Sequence, residues 1–434
     1  MRLNPYSGGV RALSVLPGGR RHCIARGYFA HFGETIFIYI TKKGQVSDMK
    51  KLRAIAGMTA AALIVGAFPV SAAEKTVRAD IKSAKAAILV ESSTGKALCG
   101  LNEDSRLPIA SLTKIMTLLI AAEAVDAGKL SFTDTAVCSA HANSMDGSVI
   151  WLETGEEMSV GDLAKSIVTA SANDACVMLA EHIAGSEEAF VAEMNEKAAA
   201  LGMTNTHFVN CVGYDDKEHY SSARDVAVMA CELRKYSIYD EFLLTRLDSV
   251  RTGTSRETQL LNTNKLITSY NGITGLKTGT TDAAGCCFAG TAKRGNMGLA
   301  AVVLGCDTDS DRFEAARELL DYGFDNFERA TPRPDVSELT EIPVEGGVKS
   351  GVDTRFSQIP EMVLEKGSGS RIKYHYSRAP SIEAPVRKGQ TLGYVTMTID
   401  DEIIGNAKII AAESVERLDF GKCLGYLLKA LFSL

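Results

Sequence analysis

The chain has 434 residues, 46% of them hydrophobic, and a formal net charge of −6, which is enough length and apolar content for two or three packed units. Residues 1–72 carry ten Lys/Arg and two Asp/Glu, leaving 37 basic against 51 acidic side chains beyond them, and so acidic a body argues against nucleic acid as a partner. Ten cysteines without C-x-x-C spacing, seven histidines without H-E-x-x-H, and no G-x-S-x-G serine exclude a disulfide framework, a zinc hydrolase and a Ser-His-Asp elbow.

The first readable element is Met49-Lys50-Lys51-Leu52-Arg53, an apolar run over 54–70, and Val70-Ser71-Ala72. A basic start, an apolar stretch and small residues at the end predict a secretory signal peptide over 49–72. The mature chain is then expected at the outer face of the cytoplasmic membrane or in the cell wall. Because the signal begins at an internal methionine, residues 1–48 read as an upstream extension; an uncleaved anchor is the alternative. Apolar runs at 84–91 and 96–100, joined by Ser92-Ser93-Thr94-Gly95, predict a hairpin. A helix is expected over 110–124, burying one stripe through Ile115, Leu118, Leu119, Ala122 and Val125. Ser159-Val160-Gly161-Asp162 is a capping-box pattern opening a helical run over 163–169. Ser171-Ala172-Asn173 marks a break before a second run over 175–183.

Further on, residues 272–281 are β-branched and glycine-punctuated, as suits an edge strand that a ligand approaches closely. A second hairpin is expected over 286–294 and 297–305. A helix starting near Asp311, with Glu314 as capping partner, should run to 327. The pattern as a whole is α+β: an antiparallel sheet closed by N- and C-terminal strands, with a helical region inserted between them. Thr331-Pro332-Arg333-Pro334 reads as a linker. Short strands over 336–412 predict a small β-sandwich without chemistry of its own. In the tail over 416–434, Phe420, Leu424, Leu427, Leu428, Leu431 and Phe432 recur at helical spacing. Too short to span a bilayer, it suits an amphipathic helix lying on the membrane surface; packing against the β-domain is the alternative.

Three short motifs carry the chemistry: Ser111-Leu112-Thr113-Lys114, Ser171-Ala172-Asn173 and Lys277-Thr278-Gly279. On a helix, positions i and i+3 are neighbours, so Ser111 and Lys114 can share a hydrogen bond. Serine is a weak nucleophile until a base takes its proton. Lys114 is such a base only where burial and a nearby cation hold it neutral, and Lys277 is the expected cation. Taken singly, each motif reads equally well as a cap or a turn. Together and in this order they spell the S-x-x-K, S-x-N, K-T-G set of serine acyl-transfer enzymes.

With these motifs in place, the chain resembles the low-molecular-mass penicillin-binding proteins that are D-alanyl-D-alanine carboxypeptidases. The likeness covers residues 79–327, more loosely the β-rich segment after them, and includes Pro108-Ile109-Ala110 before the nucleophile and His219-Tyr220-Ser221-Ser222-Ala223-Arg224-Asp225; the catalytic domain is expected over 79–330. It implies a β-lactamase/transpeptidase-like fold, no metal or organic cofactor, peptidoglycan stem peptides ending in D-Ala-D-Ala as substrate, and β-lactams as covalent inhibitors. It further implies Ser111, Lys114 and Ser171 as catalytic residues, and Asn173, Lys277, Thr278, Gly279 and Thr280 as substrate-binding residues. The backbone N–H groups of Ser111 and Thr280 would form the oxyanion hole. Arg312 is expected at the surface, helping to hold the substrate's terminal carboxylate. The family more often has Asn-x-x-Gly-Leu where this chain has Asn210-Cys211-Val212-Gly213-Tyr214, a departure that falls on a loop wall. Transpeptidation on the same fold is an alternative, as is a non-catalytic wall-binding scaffold. A β-lactamase would add a deacylating E-x-x-L-N segment, which is absent between Asn173 and Lys277.

Overall fold

The computed structural model describes Val77–Arg78, Ile81 and residues 83–432; the predicted upstream extension and signal peptide lie outside the described residues. Apolar runs separated by short turns build the main sheet from β1 (Val77–Arg78), β2 (Ala86–Glu91), β3 (Ala97–Leu101), β4 (Ile273–Thr281), β5 (Gly285–Arg294) and β6 (Met297–Cys306). The strand order is β1-β3-β2-β6-β5-β4. Every pairing is antiparallel except the short contact of β1 with β3. Strand β4, carrying the third motif, lies at the edge, as its composition predicts.

Side chains alternate across a strand, and both faces of this sheet are apolar. Ile88, Val90, Ala300, Val302 and Leu304 enter one core, while Ala87, Leu89, Leu299, Ala301 and Val303 enter the other. The first core is roofed by the inserted helices, including α1 (Lys114–Asp126), α2 (Val160–Thr169), α3 (Asn173–Ala184) and α4 (Ala223–Leu233). The second is covered by α5 (Asp309–Asn326).

Two helices differ from the sequence reading. Helix α1 is buried continuously from Lys114 to Ala122, because it runs through the helical layer with neighbours all round and not along its surface. Helix α5 begins earlier than expected: Thr308 caps it, and Asp311 returns the capping box through the Thr308 backbone N–H.

Beyond α5, the strand Phe327–Ala330 pairs with Met362–Glu365, tying the six-stranded sheet and its helices to the β-rich region. That region holds a three-stranded and a four-stranded sheet around two small cores. The chain then forms α6 (Phe420–Phe432), in which Phe420, Leu427, Leu431 and Phe432 are all more than 60% exposed. Among the described residues, no helix is long and apolar enough to cross a membrane.

Candidate active site

The nucleophile turn is not a regular first turn of α-helix. Residues Ala110–Thr113 form a 3-10 turn, entered through Ala110 at φ +48°, and α1 begins only at Lys114. Tightening the turn still leaves Ser111 and Lys114 adjacent, and Lys114 Nζ lies 2.9 Å from Ser111 Oγ. The same amine donates to Asn173 Oδ1 at 2.6 Å and to the Val212 carbonyl at 2.9 Å. Both are pure acceptors. A neutral Lys114 therefore keeps its two N–H bonds on them and turns its lone pair to the serine hydroxyl.

Lys114 has no solvent exposure. Burial lowers its pKa to about 8, against the raising influence of Cys176, Cys211 and Asp174, because a charge in a low-dielectric interior loses its hydration. Lys277 is 2% exposed. Burial first, then the cations of Lys114 and Arg312, hold it well below the ordinary lysine range. The sequence reading made Lys277 the cation that neutralises Lys114. In the structure burial depresses both amines.

The second motif sits where α2 ends and α3 begins. Ser171 turns the chain with φ +61° and is 5% exposed; its hydroxyl has no hydrogen-bond partner among the described residues. Asn173 opens α3 and is 6% exposed. Its carboxamide is engaged at both ends, with Oδ1 accepting from Lys114 while Nδ2 donates to the Asp146 carbonyl at 2.7 Å and to Tyr214 Oη at 3.3 Å.

Strand β4 brings the third motif against the nucleophile turn. A β-carbon at Gly279 would stand 2.9 Å from the Ile109 carbonyl oxygen and 3.0 Å from Ser111 N, so only glycine lets these backbones meet. That contact brings β4, one residue before Thr280, against the Ser111 amide. Thr278 Oγ1 donates to Thr263 Oγ1 at 2.7 Å. Arg312 is buried, not at the surface, at 6% exposure. Carried on the first turn of α5, it reaches under β4, and its Nη1 donates to the Gly279 carbonyl at 2.8 Å and Thr280 Oγ1 at 2.9 Å. Asp309 pairs with its other terminal nitrogen.

The residues missed by sequence reasoning lie on the loop that departs from the family pattern. Asn210 Oδ1 accepts from the amides of Val212, Gly213 and Tyr214, which closes the loop on itself in the manner of an Asx turn. So closed, the loop touches the first two motifs and, through the residue that follows it, the strand that carries the third. The Val212 carbonyl accepts from Lys114, Tyr214 Oη meets Asn173, and Asp215 accepts from Thr281 Oγ1 at 2.6 Å. Asn-x-x-Gly was the available signal, read as a loop wall when it is the clamp. His219 is a second miss. Val209 N–H donates to its Nδ1, which puts the ring proton on Nε2, 2.8 Å from Thr113 Oγ1 inside the nucleophile turn. Burial lowers its pKa to about 4.

Among the described residues, no cluster of acidic, His or Cys side chains could hold a metal ion. What the pocket offers is a hydroxyl on a buried amine, a second buried amine, and backbone donors beside both: the apparatus of serine acyl transfer. Comparison with known proteins agrees. Residues 73–308 match the D-alanyl-D-alanine carboxypeptidase family, Peptidase S11, and residues 327–417 match the penicillin-binding protein 5 C-terminal domain. The chain is 40% identical over 338 residues to D-alanyl-D-alanine carboxypeptidase DacF of Bacillus subtilis, covering 78% of this chain and 87% of that one. Among solved structures it is similar to penicillin-binding protein 5 from Haemophilus influenzae, with a TM-score of 0.69 and 31% identity over 77% of this chain and 98% of that one. It is also similar to penicillin-binding protein D2 from Listeria monocytogenes in its ampicillin-bound form, with a TM-score of 0.50 and 35% identity over 56% of this chain and 97% of that one. By its matched domains, its relatives and its fold, the chain belongs to the D-alanyl-D-alanine carboxypeptidase family of serine-type penicillin-binding enzymes.

Proposed function

We propose that this carboxypeptidase removes the terminal D-alanine of peptidoglycan stem peptides with Ser111 as nucleophile and Lys114 as its base. The observation that carries the assignment is the 2.9 Å contact between Ser111 Oγ and an amine wholly shielded from solvent. The substrate's terminal carboxylate binds beside Lys277 and Thr280. An anion there raises the proton affinity of Lys277. That ammonium disfavours charge on Lys114 in turn, adding to the effect of burial. Lys114 takes the Ser111 proton as Oγ attacks the D-Ala-D-Ala carbonyl, and the Ser111 and Thr280 amides hold the oxyanion. Ser171 and Lys277 pass a proton to the departing D-alanine, and water opens the acyl-enzyme. Asn173 fixes the position of Lys114, and Arg312 fixes the backbone of Gly279 and Thr280. β-Lactams acylate Ser111 by the same steps.

Residues 49–72 act as an export signal and 79–330 as the catalytic domain, with 336–412 as a β-sandwich spacer. Residues 416–434 hold the enzyme on the outer face of the cytoplasmic membrane through the exposed apolar side chains of α6. The deciding experiment measures D-alanine release from a synthetic stem pentapeptide together with labelling by fluorescent penicillin. Wild type should do both and Ser111→Ala neither. Retained labelling in that variant would reject the nucleophile.

A further inference from the structure

Trp151 is the single tryptophan of the chain and is 69% exposed, between Ile150 and Leu152 at 1% each. Its backbone holds φ +55°, a left-handed conformation that bulky residues seldom adopt and that persists only where neighbours over-determine it. They do so here. Asp174 accepts from the Ile150 and Leu152 amides, Arg251 Nη1 donates to the Ile150 carbonyl at 2.9 Å, and Arg256 Nη2 donates to the Trp151 carbonyl at 2.6 Å. Two buried apolar anchors and four side-chain hydrogen bonds thus present one large apolar face to solvent.

The placement relates that face to the catalytic pocket. Asp174 follows Asn173 directly, and the Ser148 carbonyl accepts from Asn173 N at 2.6 Å. Trp151 is three residues on from Ser148, a reach of at most about 11 Å. The indole therefore stands, exposed to solvent, within that reach of the segment that meets Asn173. Its surroundings are electrically balanced. Arg256 pairs with Glu153 at 3.4 Å and Glu156 at 2.7 Å, so a cationic ligand would meet the guanidinium and an anionic one the exposed carboxylate of Glu153. A neutral ring with an apolar C–H face suits an indole in that setting.

We infer that Trp151 is a specificity-determining platform on which a pyranose ring of the peptidoglycan glycan stacks while the stem peptide lies in the catalytic pocket. The inference rests on the proposed function, since it needs a glycan-linked stem peptide as substrate. The test compares the GlcNAc-MurNAc-pentapeptide with the free pentapeptide. Trp151→Ala should lower the ratio of their kcat/KM values about tenfold, the scale of one aromatic stacking contact, and Trp151→Phe should restore part of it. An equal loss on both substrates, or an unchanged ratio, overturns the proposal. A second measurement needs neither turnover nor a variant: the fluorescence of the only tryptophan should shift with the disaccharide-linked tetrapeptide and not with the free tetrapeptide. No shift, or the same shift with both, likewise overturns it. Failure of the wild type to hydrolyse either pentapeptide would defeat the functional reading instead, while the fluorescence titration would still report on Trp151.

Discussion

The α-carbon of Gly213 sits so close to Ala110 that a β-carbon added there would fall 1.9 Å from the Ala110 carbonyl oxygen and 2.9 Å from Thr113 Oγ1. Ala110 holds φ +48°, a conformation that costs a residue with a β-carbon, while Gly213 adopts +96° freely, so the two turns pack backbone to backbone with no room for a side chain at Gly213. Gly213→Ala should displace Ser111 from the Lys114 amine and slow penicillin acylation about 100-fold, the scale of an ångström-sized misplacement. A rapid-quench acylation rate within threefold of wild type would contradict this.

Lys114 must be neutral to take a proton, and its pKa of about 8 sets the window. The neutral fraction grows about tenfold per pH unit below 8 and saturates above it. The acylation rate should therefore climb between pH 6 and 8 and level off by pH 9. A flat profile over that range would remove Lys114 from the role of base.

Tyr214 Oη donates to the Asp146 carbonyl at 3.0 Å and accepts from Asp146 N at 3.1 Å and Asn173 Nδ2 at 3.3 Å. Tyr214→Phe leaves those groups short of a partner, at a cost of about 1–3 kcal/mol. We expect a lower urea midpoint together with acylation slowed about fivefold, the equivalent of roughly 1 kcal/mol at the transition state. Unaltered kinetics would show that Asn173 needs no support from this hydroxyl.

His219 binds a proton less readily folded than unfolded, at about 4 against 6.5. Above pH 6.5 both states are neutral and the residue adds no pH dependence. As pH falls from 6.5 to 4 the unfolded chain takes up the proton first, so stability drops, by about 3 kcal/mol in all. Urea unfolding at pH 7 and pH 4.5 should show most of this loss in wild type and much less in His219→Gln. Equal losses in the two proteins would place the acid sensitivity elsewhere.

Helix α6 exposes Phe420 at 83%, Phe432 at 82% and Leu431 at 72%, with Lys422 and Lys429 among the polar positions. Removing residues 419–434 should move the enzyme from the membrane fraction to the soluble one while leaving pentapeptide hydrolysis intact. Continued sedimentation with membranes would assign anchoring to another segment.

The sheet hairpins, the edge strand of Lys277 and the three motifs were legible because each is written in local terms: alternation, turn residues, and spacing on a helix. Helix α1 was read too narrowly, since a sequence shows which residues are apolar but not how many neighbours surround them. Arg312 was misplaced for the opposite reason. An arginine at a helix start reads as solvated, and only the packing of α5 under β4 supplies the Gly279 and Cys287 carbonyls that bury it.

By itself, the sequence determined the chemistry: a serine three residues before a lysine, a second lysine far downstream, and no metal-ligand or Ser-His-Asp pattern to compete. Tertiary structure alone decided that Lys114 is fully buried, that Lys277 is depressed as well, and that residues 210–215 join the first two motifs to the strand of the third. A pKa depends on what surrounds a group, and a contact across a hundred residues leaves no trace in local spacing.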